Sequence, residues 1–281
     1  MTKMVVQVSF VPADRRIFFI PFSTLADAVE PMRRIQRREI GTECFLLNRF
    51  NLAALFAQDW SVPAEVPVAA VQSEDFDSLR CQLPAWTLIV VINGPARRTQ
   101  EKIAYEVAAL REVCDIMNVE LREALPNVPG AAHVIASELL RPWSILKKFN
   151  YRGSVHDLTF KTPLSNVPRV AAVVVDLAQQ HGYPERDLGM YLLPLERSRA
   201  MHVEIDLHCP ASECAERATV KNLWHAASTE LADAGAYFDR PYGVWAPLMY
   251  NRAANYTQML KKLKAEIDPN NILNPGKLCF T

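Results

Sequence analysis

Glycine is scarce in this chain. Nine occur among 281 residues, against roughly 20 at an average usage near 7%. They stand at Gly41, Gly94, Gly130, Gly153, Gly182, Gly189, Gly235, Gly243 and Gly276, never close enough for a G-x-G or a Walker-type loop. A chain that wraps backbone amides around a pyrophosphate needs such glycines, because a Cβ keeps the backbone at a distance. This chain brings no nucleotide cradle of its own. Long apolar runs are missing too, and no stretch approaches the roughly 20 residues of a membrane helix. An excess of one charge is absent: 31 basic residues stand against 31 acidic ones, which excludes the footprint of a nucleic-acid binder. The six cysteines (Cys44, Cys81, Cys114, Cys209, Cys214, Cys279) form no C-x-x-C pair. Isolated reduced thiols are the expectation, with no iron–sulfur or zinc site. The opening "MTKMVVQVSFVPADRR" lacks an apolar signal core and cleavage site, so a cytoplasmic location is expected.

What is present is a sizeable core: half the residues are apolar and 22% are charged. Residues 4–11 and 16–22 are β-branched and aromatic runs around Pro12, a predicted hairpin. Leu25, Ala28, Val29, Met32 and Ile35 recur at helical spacing up to Gly41. Within that helix "MRRIQRRE" (32–39) is a basic face, read as solvated. A strand at 43–47, a short helix at 51–58 and a proline-bearing arm at 59–85 follow. The arm leads to the buried strand "WTLIVVING" (86–94), a helix at 99–117 and a strand at 119–125. The second half repeats the plan, with strands at 156–163, 188–195, 200–210 and 236–239 and helices at 165–181 and 212–234. Between the halves, 131–150 reads as helical. The fold class is α+β: a duplicated ferredoxin-like βαββαβ unit, with a broad antiparallel sheet and helices on one face. The chain reads as one domain of two halves, about 1–130 and 151–250, plus a C-terminal helix and tail at 251–281.

One strand carries an unusual row. On "MHVEIDLH" the period of two places His202, Glu204, Asp206 and His208 on one face and Val203, Ile205 and Leu207 on the other. Two readings fit a row of ionisable groups: a solvated sheet face, or the wall of a ligand site. A metal held by all four is excluded, because side chains two apart on a strand sit roughly 6.5–7 Å apart.

The chain closes on "LKAEIDPNNILNPGK". This ending resembles the C-terminal signature of the vanillyl-alcohol oxidase / p-cresol methylhydroxylase superfamily of FAD-linked oxidases, a helix followed by D-P-x-x-I-L-x-P-G-K. Asp268, Pro269, Ile272, Leu273, Pro275, Gly276 and Lys277 all stand in place. The opening "TKMVVQVSFVPADRR" is similar to the segment where the family's FAD-binding domain hands over to its cap, and "LPAWTLIVVING" to a cap strand. The twofold plan also resembles the family's cap. By this resemblance the chain is the cap or substrate half of a flavoprotein, with the FAD shared with a missing or separate FAD-binding subunit. An electron-acceptor subunit is a further possible partner, and a small molecule the substrate.

The resemblance implies roles for particular residues. The cap sheet covers the flavin and walls the substrate cavity, so His202, Glu204, Asp206 and His208 become the catalytic candidates. Met201-His202 resembles a segment that holds a flavin-linked histidine in some members. Asn274 and Lys277 are the cofactor-binding candidates, because the tail returns to the FAD domain, with Ile272 and Leu273 anchoring it to the cap. "DRPYGVWAPLMYNR" (239–252) falls where the family often has a tyrosine–arginine pair. The matching positions here are Trp245 and Ala246, so the arginine is missing and phenol activation is weakened. Tyr242, Trp245 and Tyr250 are the substrate-binding candidates. Arg240 and Arg252 are the nearby cations, with surface placement the simpler reading. The implied reaction is oxidation of a small alcohol, hydroxy acid or alkylphenol by hydride transfer to flavin; the alternative is a noncatalytic scaffold that retains the cap fold.

Overall fold

The computed structural model describes residues 11–57, 73–141, 152–210 and 214–280. The hairpin's first strand, most of the first stretch of the arm and the end of the 131–150 helix lie outside them. Six strands form one antiparallel sheet: β1 (Asp14–Phe22), β2 (Glu43–Asn48), β3 (Trp86–Gly94), β4 (Gly153–Thr162), β5 (Leu188–Leu195) and β6 (Ala200–Pro210), in the order β1-β3-β2-β5-β6-β4. Helices α1 (Leu25–Arg37) and α4 (Thr99–Met117) serve the first half, α6 (Val167–Gln180) and α7 (Cys214–Asp233) the second. All four pack on the same face, over Phe18, Val90, Leu158, Phe160 and Ile205. The helical spacing of α1 is why: Leu25, Ala28, Met32 and Ile35 make a single buried stripe, and Thr24 caps its start by accepting from the Asp27 amide. Its basic face is solvated and ion-paired, with Arg33 and Arg34 on Glu30 and Arg38 on Glu112.

Among the described residues, the other face is covered only in part. Helices α2 (Arg49–Phe56), α3 (Ser73–Gln82) and α5 (Ala131–Leu140) close it over the first half, burying Phe19, Leu47, Ile89 and Val91. Helix α3 lies inside what the sequence suggested was a connecting arm. Its Phe76 is buried against Phe50 at 5.3 Å between rings, and buried Arg80 bonds Asp187 and the Arg186 carbonyl. The predicted strands at 119–125 and 236–239 are reduced to isolated bridges, Phe19–Arg122 and Lys161–Tyr237. Among the described residues each half therefore has three full strands. The seam between halves is narrow: β2 and β5 register only at Leu46↔Leu192 and Leu47↔Tyr191. Asn48 strengthens it, donating to the Leu188 carbonyl at 2.7 Å and accepting from the Met190 amide at 3.0 Å. The same carboxamide caps α2 by accepting from the Asn51 amide.

Candidate active site

Over the second half, the face opposite the helices carries polar residues. On β6, Met201, Val203, Ile205 and Leu207 enter the core. His202, Glu204, Asp206 and His208 therefore share the other face. They do not share one environment. His202 and Glu204 are half-buried, whereas Asp206 and His208 are buried. Helix α2 makes the difference: the Phe50 ring lies 5.0 Å from that of His208, and Asn51 Nδ2 donates to Asp206 at 3.3 Å. Asn51 reaches across β5 at Gly189, where an added Cβ would stand 2.4 Å from its Oδ1.

Neighbouring strands complete the row with residues that the sequence reading missed. Tyr191 of β5 stands opposite Glu204, and Asp157 of β4 opposite Asp206. The alternation Asp157, Thr159, Lys161 along β4 was the available signal. Asp157, Glu204 and Asp206 bring carboxylate oxygens within 4.8 Å of one another. This is the geometry that spacing along one strand could not supply, because it needs the cross-strand partner. Tyr191 lies between Phe45 (6.1 Å) and His202 (6.3 Å) by ring centroids.

Burial governs the protonation here. It holds the His202 imidazole below the ordinary histidine value, against the pull of Glu204 and Asp239. It pushes the Tyr191 phenol up to about 12, helped by the charges of Glu204 and Glu43. At neutral pH the face therefore presents a neutral imidazole, a protonated phenol and a set of carboxyl groups.

The aromatic candidates do not form one pocket. Trp245, at the start of α8 (Trp245–Tyr250), stacks on Phe238 at 4.8 Å and donates from Nε1 to Ser228 Oγ at 2.9 Å. It belongs to the packing beneath α7, because an indole with a satisfied N–H is a good core filler. Tyr250 is half-buried. Tyr242 is 60% exposed, and it lines an open groove of about 870 Å³ between α8, α9 (Ala254–Ile267) and the tail. Arg252 is occupied at the end of α7, on the Ala232 carbonyl and Asp233.

The tail is organised by one carboxylate. Asp268 accepts from the amides of Ile272 and Leu273, both at 2.8 Å, and pairs with Lys264. Pro269 ends α9, and Asn271, Asn274, Gly276 and Leu278 turn the chain with positive φ. Asn274 and Lys277 are exposed on these turns. Ile272 and Leu273 are not anchors: they are 72% and 60% exposed. The tail is held by Asp268, by buried Cys279 and by the Lys264 ammonium over the Phe280 ring.

Residues 246–278 match the family model described as FAD linked oxidases, C-terminal domain. The fold matches p-cresol methylhydroxylase with substrate bound (TM-score 0.68, 15% identity, 96% of this chain and 53% of that one). It also matches the isoeugenol complex of 4-ethylphenol oxidase from Gulosibacter chungangensis (TM-score 0.67, 17% identity, 96% and 54%). This chain carries the C-terminal signature and the fold of the FAD-linked oxidases. A weaker fold match is alkyldihydroxyacetonephosphate synthase (TM-score 0.57, 12% identity, 94% and 45%). The chain spans about half the length of p-cresol methylhydroxylase and 4-ethylphenol oxidase. No curated protein matches it by sequence. No described helix is long and apolar enough to cross a membrane.

Proposed function

We propose that this chain is the cap half of an FAD-dependent oxidoreductase, the half that faces the substrate. Its reaction is oxidation of a small organic alcohol, hydroxy acid or alkylphenol, with the FAD held mainly by a separate FAD-binding subunit. The observation that carries this reading is the polar, half-buried row of His202, Glu204 and Tyr191 in the middle of a sheet whose other face is solid core. The fold likeness and the tail signature support it.

The residues present fit the rim of a flavin rather than its pyrophosphate. The spaces beside Gly94 and Gly189 are filled by this chain's own Thr99 and Asn51 side chains. Asn274 and Lys277 are exposed on the tail turns, and in this reading they meet a ring edge or a phosphate from outside. A bound flavin would supply the hydride acceptor. The chain's own part is to hold the substrate and move its proton. The neutral His202 imidazole or a Glu204 oxygen accepts the hydroxyl proton. The Tyr191 phenol stays protonated and donates to a substrate oxygen. Asp206, fixed by Asn51, orients this row from beneath α2. Trp245 packs against Phe238 and Arg252 is bound at the end of α7, which leaves Arg240, a cation acting on His202, in place of the tyrosine–arginine pair; with that pair missing, the alcohol classes are favoured over phenols.

Purification from the native source under mild salt tests this. The expected result is a yellow complex holding stoichiometric flavin with a second subunit, whereas the chain expressed alone is colourless. In the complex, Glu204→Gln should lower kcat by about 10²-fold or more with flavin retained. A colourless native protein with no flavoprotein partner would replace this reading with the scaffold one.

A further inference from the structure

The polar face of the sheet ends at an ion pair. Lys161 of β4 stands opposite His202 of β6. Leu158 and Phe160 enter the core, so Lys161 shares the His202 face. Side chains paired across antiparallel strands start about 5 Å apart, and the ammonium and the imidazole therefore leave the sheet together. Beyond β4, Tyr237 bridges Lys161 through reciprocal 2.8 Å main-chain bonds. The bridge brings Asp239, two residues on, to the same end of the row, where its Oδ2 meets Lys161 Nζ at 2.8 Å.

The second oxygen of that carboxylate is the unusual one. Among the described residues, Asp239 Oδ1 is buried with no hydrogen-bond partner. A buried acceptor left unmade is costly and calls for a donor. Lys161 is already engaged on Oδ2. The groups facing His202 are Glu204 on its own strand, Tyr191 of β5 at 6.3 Å between rings, Lys161 of β4, and Asp239 and Arg240 from beyond the bridge. Burial above all keeps that ring neutral; Glu204 and Asp239 oppose it, and Lys161 and Arg240 reinforce it. Among the described residues no hydrogen bond holds either ring nitrogen. Which nitrogen of a histidine carries the proton is set by the bond that the other makes.

We propose that Asp239 is the positioning residue of this site: its Oδ1 accepts the His202 N–H and fixes the tautomer, which leaves the other ring nitrogen to face the substrate hydroxyl. Lys161 holds the carboxylate in place from the side. The proposal rests on the reading of this face as the substrate wall, and it selects His202 over Glu204 as the group that takes the proton. The hydroxyl proton passes to the free nitrogen while the hydride leaves the same carbon for the flavin. The imidazolium formed in that step lies against Asp239, whose charge stabilises it.

The full chain expressed without flavin tests the contact. Long-range proton–nitrogen spectra of the imidazoles, with His202 assigned through His202→Gln, should show a single tautomer at neutral pH. Asp239→Asn keeps the shape of the side chain and removes its charge, so it should scramble that tautomer and lower the His202 titration midpoint. A site that had merely loosened would raise the midpoint instead, because exposure returns a histidine toward its ordinary value. Mixed tautomers in the wild-type chain, or a midpoint that holds or rises in Asp239→Asn, would overturn the proposal. In the flavin complex Asp239→Asn should lower kcat by about 10²-fold with KM little changed; an unchanged kcat would also overturn it. An active flavoprotein with mixed tautomers refutes the positioning role alone. A single, Asp239-dependent tautomer in a protein with no flavoprotein partner upholds the contact and refutes the oxidase reading.

Discussion

Gly189→Ala tests how the site is held. Gly189 lies on β5 opposite Asp206, and Asn51 crosses over it to reach that carboxylate. An added methyl would meet Asn51 Oδ1 at 2.4 Å, Asp206 Cβ at 3.0 Å and Asn51 Cγ at 3.1 Å. The first contact is relieved only if Asn51 swings away, which breaks its bond to Asp206. The second is with an atom fixed in the sheet. Overpacking of this kind costs about 1–3 kcal/mol, and a lost hydrogen bond to a charged group about 1.5–3 kcal/mol. Because the two share one movement, the expected loss is about 2–3 kcal/mol rather than their sum. Urea unfolding measures it, with Asn51→Ala as the second corner of a double-mutant cycle. Removing the carboxamide removes the clash, so Gly189→Ala should cost about 1 kcal/mol less or better in that background. Equal costs in both backgrounds would refute the argument that Asn51 is what the glycine accommodates.

Three further outcomes are expected. Arg80→Met should destabilise by about 3 kcal/mol in urea, since it strips buried Asp187 of its closest partner and uncouples α3 from the second half; a cost below about 1 kcal/mol would show that Arg152 alone suffices. Lys264, then the Ile272 and Leu273 amides, hold the Asp268 carboxyl below the usual carboxylate range. The native tail therefore binds fewer protons than the unfolded chain, so its protection is intact above about pH 4 and falls as pH drops through the lower folded value. Amide exchange at Ile272 and Leu273 reads this, and Asp268→Asn should abolish the pH dependence. Site-mapped thiol labelling of native protein should modify exposed Cys81 but spare Cys44 and Cys114, whose thiols burial pushes up to about 12 and about 11.

Local pattern exposed some of this molecule and hid the rest. The apolar run of β3 and the alternation of β6 each name an element and its faces, because burial on two sides or one leaves its own period. Residues 119–125 and 236–239 share that local character yet make only isolated bridges among the described residues, since pairing depends on whether a neighbour offers a free edge. Helix α3 was hidden by the prolines before it and the acids at its start. What makes it a helix in place is the burial of Phe76 under Phe50, a tertiary cause. The site divides likewise. The β6 row follows from periodicity, but the approach of Asp157 and the reach of Asn51 depend on strand order and register. Trp245 is ambiguous for a related reason: an aromatic in a motif region fits a pocket or a core, and only the structure shows its Phe238 stack and Ser228 bond.

Two surfaces run against ordinary folding logic. Asp157, Glu204 and Asp206 crowd together beside half-buried Tyr191, where apolar residues would extend the cover already built by α2, α3 and α5. On α9 the reverse holds. Tyr256, Met259, Leu263 and Ile267 follow the spacing of a buried stripe, yet all four are at least 53% exposed, and Ile272 and Leu273 extend the apolar surface. A helix with that pattern in a self-sufficient domain would face its core. The two departures have opposite chemistry and a common reading. In the proposed function the acidic row meets a polar small molecule, and the apolar stripe another protein surface. Within the proposed flavoprotein these are the two contacts a cap must make, one with what is oxidised and one with the subunit that holds the cofactor.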